Sequence, residues 1–205
     1  MVLFLLLSGI CWSIVYIELI YVGFKNETYG MPFIALALNF SWEVLYCYLG
    51  FTYTPENIQN YITLIWLILD TAVVLTYLIY GKKYFPKYTS KKYFVPWTIL
   101  IFFMSFVLQY YFVVEFKDLG KLYSAFLQNL VMSILFIHML ITRTDTKGQN
   151  LTIAINKWIG TLSPTILYGI IVGNKLILAL GIFCSIFDIL YIYFLSTTRK
   201  LHNQS

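Results

Sequence analysis

The chain has 205 residues, 60% of them hydrophobic, 20% aromatic and only 11% charged. A soluble domain carries about 25% charged residues, so a water-soluble fold is excluded and little chain is left for a second domain. The net charge is +5, but the basic residues sit in short loops between apolar runs, so they report membrane orientation and exclude a nucleic-acid partner.

A membrane-crossing helix needs about 20 apolar residues. Seven such runs can be read, at about 2–22, 31–50, 61–80, 95–114, 122–141, 151–172 and 175–195. The connections between them are short, which suits antiparallel neighbours. The expectation is all-α: one integral-membrane seven-helix domain over 1–205. The first run lacks a basic leader, and the first alanine of the chain is Ala35, so it does not read as a cleavable signal. Ten Lys and Arg flank one side: Lys25, Lys82, Lys83, Lys87, Lys91, Lys92, Arg143, Lys147, Arg199 and Lys200. Three, Lys117, Lys121 and Lys175, flank the other, and Lys157 lies inside the sixth run. That bias predicts an N-terminus outside and a C-terminus in the cytosol. The expected home is the plasma membrane or the endoplasmic reticulum, with the bilayer as solvent.

The polar residues inside the runs carry the functional signal. An ionisable group in hydrocarbon costs roughly 2.5–3.5 kcal/mol on insertion scales and is a site candidate by default. The first run has Glu18 near its cytosolic end, where pairing or snorkelling is the simpler role. The second has Glu43, with Asn39 four residues before it and Tyr46 three after it on one helical face, and Trp42 adjacent. The third has Asp70, with Trp66 on the same face. Gln109, Gln128, Asn129 and Lys157 follow, and the last run has Asp188, with Tyr191 three residues on. At about 1.5 Å per residue, Glu43 lies roughly 18 Å from the cytosolic end of its run, Asp70 roughly 15 Å and Asp188 roughly 10 Å. These groups should face the bundle interior and share one cavity in its cytosolic half. Asp188 and Lys157 could instead neutralise each other as a buried ion pair.

Motif searches narrow the chemistry. There is no DDxxD, DxDD, HExxH, GxSxG or P-loop. The cysteines, Cys11, Cys47 and Cys184, all lie in apolar runs without metal-ligand spacing, and His138 is isolated. Lys175 sits at the mouth of its run, a poor place for a retinal Schiff base. The chemistry that remains is proton delivery. Desolvation favours the neutral form of a carboxylic acid, which makes a general acid. Indole and phenol faces stabilise a cation without capturing it, and exclusion of water prevents quenching. A hydrophobic prenyl compound fits such a site. A small proton-coupled transporter also uses buried carboxylates, and a non-enzymatic lipid-binding protein is a third possibility.

Five stretches add a resemblance: YGMPFIALALNFSWEVLY (29–46), IWLILD (65–70), SAFLQNLVMSILFIHMLITR (124–143), GQNLTIAINKWIGTLSPT (148–165) and FDILYIYFL (187–195). With these the chain resembles the integral-membrane terpene cyclases of fungal meroterpenoid and indole-diterpene pathways and their bacterial relatives. The resemblance implies cyclisation without metal or organic cofactor, started by two membrane carboxylates. Carried over, these are Glu43 of the SWE motif and Asp188 of FDxxY. Asp70, Asn39, Trp42, Gln128, Asn129 and Lys157 match family positions with supporting or substrate-contact roles, and Tyr46, Trp66 and Tyr191 join them from the helical faces above. The implied substrate is a prenylated small molecule, made by a pathway prenyltransferase and epoxidase. One departure is GQN at 148–150, where the family pattern has GQS.

Overall fold

The computed structural model describes residues 1–143 and 145–202. The side chains of Arg199 and Lys200, counted in the charge bias, lie outside the described part, as do residues 203–205. The described residues form helices and no strand. In chain order these are α1 (Val2–Lys25), α2 (Phe33–Tyr53), α3 (Ile58–Tyr80), α4 (Phe94–Phe116), α5 (Gly120–Thr142), α6 (Leu151–Pro164) and α7 (Lys175–His202). Each falls on one of the apolar runs. Among the described residues, five stretches are long and apolar enough to cross a membrane: Val2–Lys25, Phe33–Tyr53, Ile58–Tyr84, Lys91–Thr142 and Lys175–Thr198. The fourth has 52 residues and holds both α4 and α5.

The helix ends have identifiable causes. Asn57 caps α3, its side chain accepting from Gln59 N at 3.0 Å. Asn150 caps α6, accepting from Ile153 N at 2.9 Å. That is the position where GQN replaces GQS, and Asn serves as an N-cap as well as Ser does. The Asn150 amide also donates to Glu18 Oε1 at 2.6 Å, so Glu18 is paired. α6 stops at Pro164, and the chain continues to Ile171 as a wider π-helical turn. Proline has no N–H to give to the carbonyl four residues back, Gly160 O. Ser8 Oγ of α1 satisfies that carbonyl instead, at 2.7 Å.

Packing closes the helices into a ring. α1 packs on α3 and α6, α2 on α3 and α4, α5 on α4 and α7, and α6 on α7, while α2 and α5 also touch across the interior. The outside of the ring is apolar: Ile10, Ile17, Ile68, Phe103, Tyr110 and Ile182 are among its exposed side chains. The inside holds the polar groups, with Asn39, Glu43, Asp70, Lys157 and Asp188 all buried beside an apolar cluster. This inverts the pattern of a water-soluble bundle and matches a protein solvated by lipid.

The connections form two distinct ends. At one end the 26–32, 81–93 and 143–150 segments are tied together. Thr28 Oγ1 donates to Tyr84 OH at 2.8 Å, Lys83 Nζ donates to Glu27 O, and Arg143 Nη1 donates to Tyr29 O at 2.8 Å. Gly148, at φ +80°, lies close against this turn: a Cβ there would sit 3.0 Å from Tyr29 O. The opposite end carries the N-terminus and the 54–57, 117–120 and 172–174 connections.

Candidate active site in the ring

Glu43 is the eleventh of the 21 residues of α2, so it sits midway along the helix. Tyr16 OH of α1 donates to its Oε1. Asn39, one turn earlier, places its Nδ2 3.1 Å from the same oxygen, 2.7 Å from Tyr16 OH and 3.2 Å from Asp70 Oδ2. An amide nitrogen has two hydrogens, so these three acceptors share two donors. The carbonyl side of Asn39 accepts from Gln128 Nε2 at 3.3 Å, and Gln128 Oε1 accepts from Gln109 Nε2 at 2.8 Å. Five helices, α1 to α5, thus meet in one polar network with Asn39 at its centre. Glu43 Oε2 and Asp70 Oδ1 are buried and have no partner among the described residues.

A cavity of about 590 Å³ reaches this network, within the range of small-molecule sites. Glu43, Asn39 and Gln128 line it on the network side, with Asn129 beside them. Its aromatic walls are Trp12, Tyr16, Trp42, Trp66, Phe126 and Tyr168. Trp42 is oriented by its Nε1–H, which donates to Lys121 O at 3.1 Å, and Trp66 Nε1 donates to Ser13 Oγ at 3.3 Å. Pro164, Tyr168 and Val172, four residues apart, form the wall supplied by the π-helical turn. Asn57, Gln59, Asp118, Lys121 and Asn174 mark the mouth, which opens at the lysine-poor end. The expectation placed this cavity toward the lysine-rich end, and it opens at the other end. Residue counting gives axial position only, and Glu43 is equally far from both ends. Between Glu43 and the lysine-rich end the interior is packed with side chains such as Leu19, Met31, Leu36, Phe136 and Tyr191, so the Glu43 cavity opens the other way.

Asp188 does not share that wall. Its Oδ1 accepts from Lys157 Nζ at 2.6 Å, with both side chains buried. Lys157 also donates to Ser133 Oγ at 2.6 Å, and Ser133 in turn donates to Asn129 O at 2.9 Å. The ion pair therefore stands behind the cavity, one helical turn from Asn129. Tyr191 is further off, donating to Gln149 Oε1 at 3.0 Å. Tyr46 is buried with its hydroxyl 3.5 Å from Ser124 Oγ, and neither tyrosine lines the cavity. Asp70 is fully buried and touches the site only through Asn39. So of the three carboxylates expected around one cavity, Glu43 and Asp70 are linked through Asn39, while Asp188 pairs with Lys157. The structure also adds Tyr16 and Trp12, which the sequence reading missed. Ser8, Trp12 and Tyr16 recur at four-residue spacing, a face signal, but hydroxyl and aromatic groups in an apolar helix carry no charge to draw notice.

A family model described as Pyr4-like transmembrane terpene cyclases matches residues 1–201. The chain belongs to that family. Among similar proteins is the Pyr4-family terpene cyclase mfmH of Annulohypoxylon moriforme, 24% identical over 169 residues, covering 78% of this chain and 66% of the relative. The terpene cyclase atmB of Aspergillus flavus is 26% identical over 171 residues, covering 80% of this chain and 67% of the relative. The terpene cyclase macJ of Penicillium terrestre is 42% identical over a shorter 76 residues, 37% of this chain and 28% of the relative. The matched part therefore spans from about a quarter to about two thirds of these relatives' own length. No solved structure matches. Membership in a transmembrane cyclase family, with helices apolar on the outside, makes this an integral membrane protein. Relatives named as terpene cyclases disfavour the transporter alternative.

Proposed function

We propose that this chain is a membrane-embedded terpene cyclase in which Glu43 starts carbocation cyclisation. The observation that carries the reading is the Glu43 carboxyl at the wall of an aromatic cavity, with Oε1 taken by Tyr16 and Asn39 and Oε2 unpartnered. Two donors on Oε1 make it the accepting oxygen of a neutral acid, which leaves the proton on Oε2. Oε2–H protonates a terminal epoxide or alkene of a prenyl chain. With an epoxide, the oxygen takes the proton, the C–O bond to the more substituted carbon breaks, and that carbon becomes cationic. Alkene π pairs then close rings in turn. Loss of a proton ends the sequence, so the net reaction is an isomerisation. Trp12, Trp42 and Trp66 face the intermediate cations, and the donors on Oε1 stabilise the carboxylate left behind. No metal enters this scheme. Asp188 acts from behind the wall, through Lys157, Ser133 and Asn129.

All of α1 to α7 cross the membrane in this reading, with α6 completed by its π-helical turn and the N-terminus outside. The mouth then faces away from the cytosol, in the plasma membrane or the endoplasmic reticulum. The substrate is a hydrophobic prenylated compound, and a prenyltransferase and an epoxidase act before this step. Glu43→Gln tests the proposal, since it keeps shape but removes the transferable proton. Membranes carrying this variant should convert an epoxidised prenylated substrate to its cyclic isomer about 10²- to 10⁴-fold more slowly than wild type. Near-wild-type conversion by a folded Glu43→Gln protein would sink the proposal.

A further inference from the structure

The lysine-rich end holds a second cavity, of about 800 Å³, that the cyclisation scheme does not use. Its inner walls are apolar, built from Phe33, Phe85, Phe94, Trp97, Leu135 and Met139. Its polar lining includes Lys83, Lys87, Arg143, His138 and Asp145, three fixed cations against one carboxylate. Arg143 is the most constrained of them. Its guanidinium carbon lies 4.2 Å from the Tyr29 ring centroid and 4.4 Å from that of Tyr84. Nη1 donates to Tyr29 O at 2.8 Å, with longer contacts to Lys147 O at 3.3 Å and Thr28 Oγ1 at 3.4 Å. Nη2 is buried and has no partner among the described residues. Arg143 lines the cavity, and its buried donor without an acceptor is an unsatisfied group that an anion there would complete once the guanidinium turns toward it. Asp145 does not fill that role in the described contacts; its Oδ1 accepts from Lys147 N at 3.0 Å. Lys83 sits over the Tyr84 ring at 5.1 Å and donates to Glu27 O, while Lys87 is exposed and makes no hydrogen bond among the described residues.

We propose that this cavity binds a phosphate anion carried on an apolar chain, with Arg143 and Lys87 holding the phosphate and the Phe33–Phe94–Trp97 wall taking the chain. The planar guanidinium fork fits phosphate oxygens, and a pocket that is basic at its rim and apolar inside suits the headgroup and first methylenes of a membrane phospholipid. A free phosphate in the adjoining water shares the headgroup chemistry without the chain. The proposal is independent of the cyclase reading.

Native mass spectrometry of the detergent-purified full chain separates these cases. Phosphatidic acid, diacylglycerol of the same acyl chains and inorganic phosphate are titrated separately, and phosphate is then used as competitor. The expected result is one retained phosphatidic acid per chain, no comparable adduct with diacylglycerol, and a loss of affinity of about tenfold in Arg143→Gln, as for removal of a charge-assisted contact. Lys87→Gln should weaken it by a smaller factor, and Arg143→Lys should restore only part of it. Displacement by millimolar inorganic phosphate would assign the site to a free phosphate. Arg143 also holds the 26–32 turn, so Arg143→Gln could fail to fold; Lys87→Gln, exposed and unbonded, then decides alone. Equal retention of phosphatidic acid by wild type and the folded variants, or equal binding of diacylglycerol, would overturn the proposal.

Discussion

At the scale of single residues, the site depends on how the oxygens of its carboxyl groups are shared. Glu43 Oε1 takes the Tyr16 hydroxyl and the Asn39 amide. In the proposed step this oxygen becomes part of a carboxylate, and a hydrogen bond to a charged group contributes about 1.5–3 kcal/mol, against about 1 to a neutral one. The difference of about 0.5–2 kcal/mol means that Tyr16→Phe should lower kcat by roughly 2- to 30-fold with little change in KM. An unchanged kcat would remove Tyr16 from the scheme. The Lys157–Asp188 pair makes a different prediction. Asp188→Asn leaves a buried lysine without its counter-charge and should cost about 3–5 kcal/mol, seen as a lower melting temperature of the solubilised protein. Lys157→Met combined with Asp188→Leu removes both charges, and stability should return to near wild type. If Asp188 acts through Lys157 and Ser133, the double variant stays impaired even when its stability returns, because the donor to Ser133 is gone. Wild-type activity in a stable double variant would mean that the pair only holds the fold.

At the scale of elements, the α6 break shapes the cavity wall. Pro164 withholds an N–H from Gly160 O, Ser8 of α1 supplies the replacement, and the wider turn that follows brings Tyr168 and Val172 to the cavity. Ser8→Ala should destabilise the protein by about 1–3 kcal/mol, because it leaves a buried carbonyl without a donor. In a Pro164→Ala background, residue 164 has an N–H that can reach Gly160 O, and the same Ser8→Ala change should cost much less. Thermal unfolding of the four proteins gives the coupling energy. Equal costs in the two backgrounds would mean that Ser8 does not stand in for the missing helical bond. The proline was legible in the sequence as an interruption of the sixth run. Its partner was not, because residues 8 and 160 meet only when α1 packs on α6.

At the scale of the whole molecule, the outward apolar face and the ten-to-three division of basic residues predict N-outside, C-inside insertion. A reporter active only in the cytosol should work when fused after Ser205 and fail when placed in the 51–60 loop. The opposite pattern would reverse the orientation and put the mouth of the Glu43 cavity on the cytosolic side. The two cavities lie at opposite ends, so that reversal would also move the Arg143 site to the other leaflet.

Composition and periodicity by themselves determined that the chain is an all-helical membrane protein, where its helices run, and which polar side chains it buries. These are local or additive properties: about 20 apolar residues make a membrane-length helix whatever surrounds them, and desolvation cost turns Glu43, Asp70, Lys157 and Asp188 inward without reference to a particular neighbour. The motifs around Glu43 also pointed to the family. Only the tertiary structure decided which buried groups meet. Helix periodicity puts Asn39 and Glu43 on one face of α2, but it carries no information on which helices lie opposite. The ring order brings α1 and α3 against that face, so Tyr16 becomes a partner of Glu43 and Asp70 of Asn39, while Asp188 is drawn to Lys157. The direction in which the Glu43 cavity opens was equally out of reach of the sequence. It is set by where bulky side chains from several helices fill the interior, and that sum over long-range contacts exists only once the ring has closed.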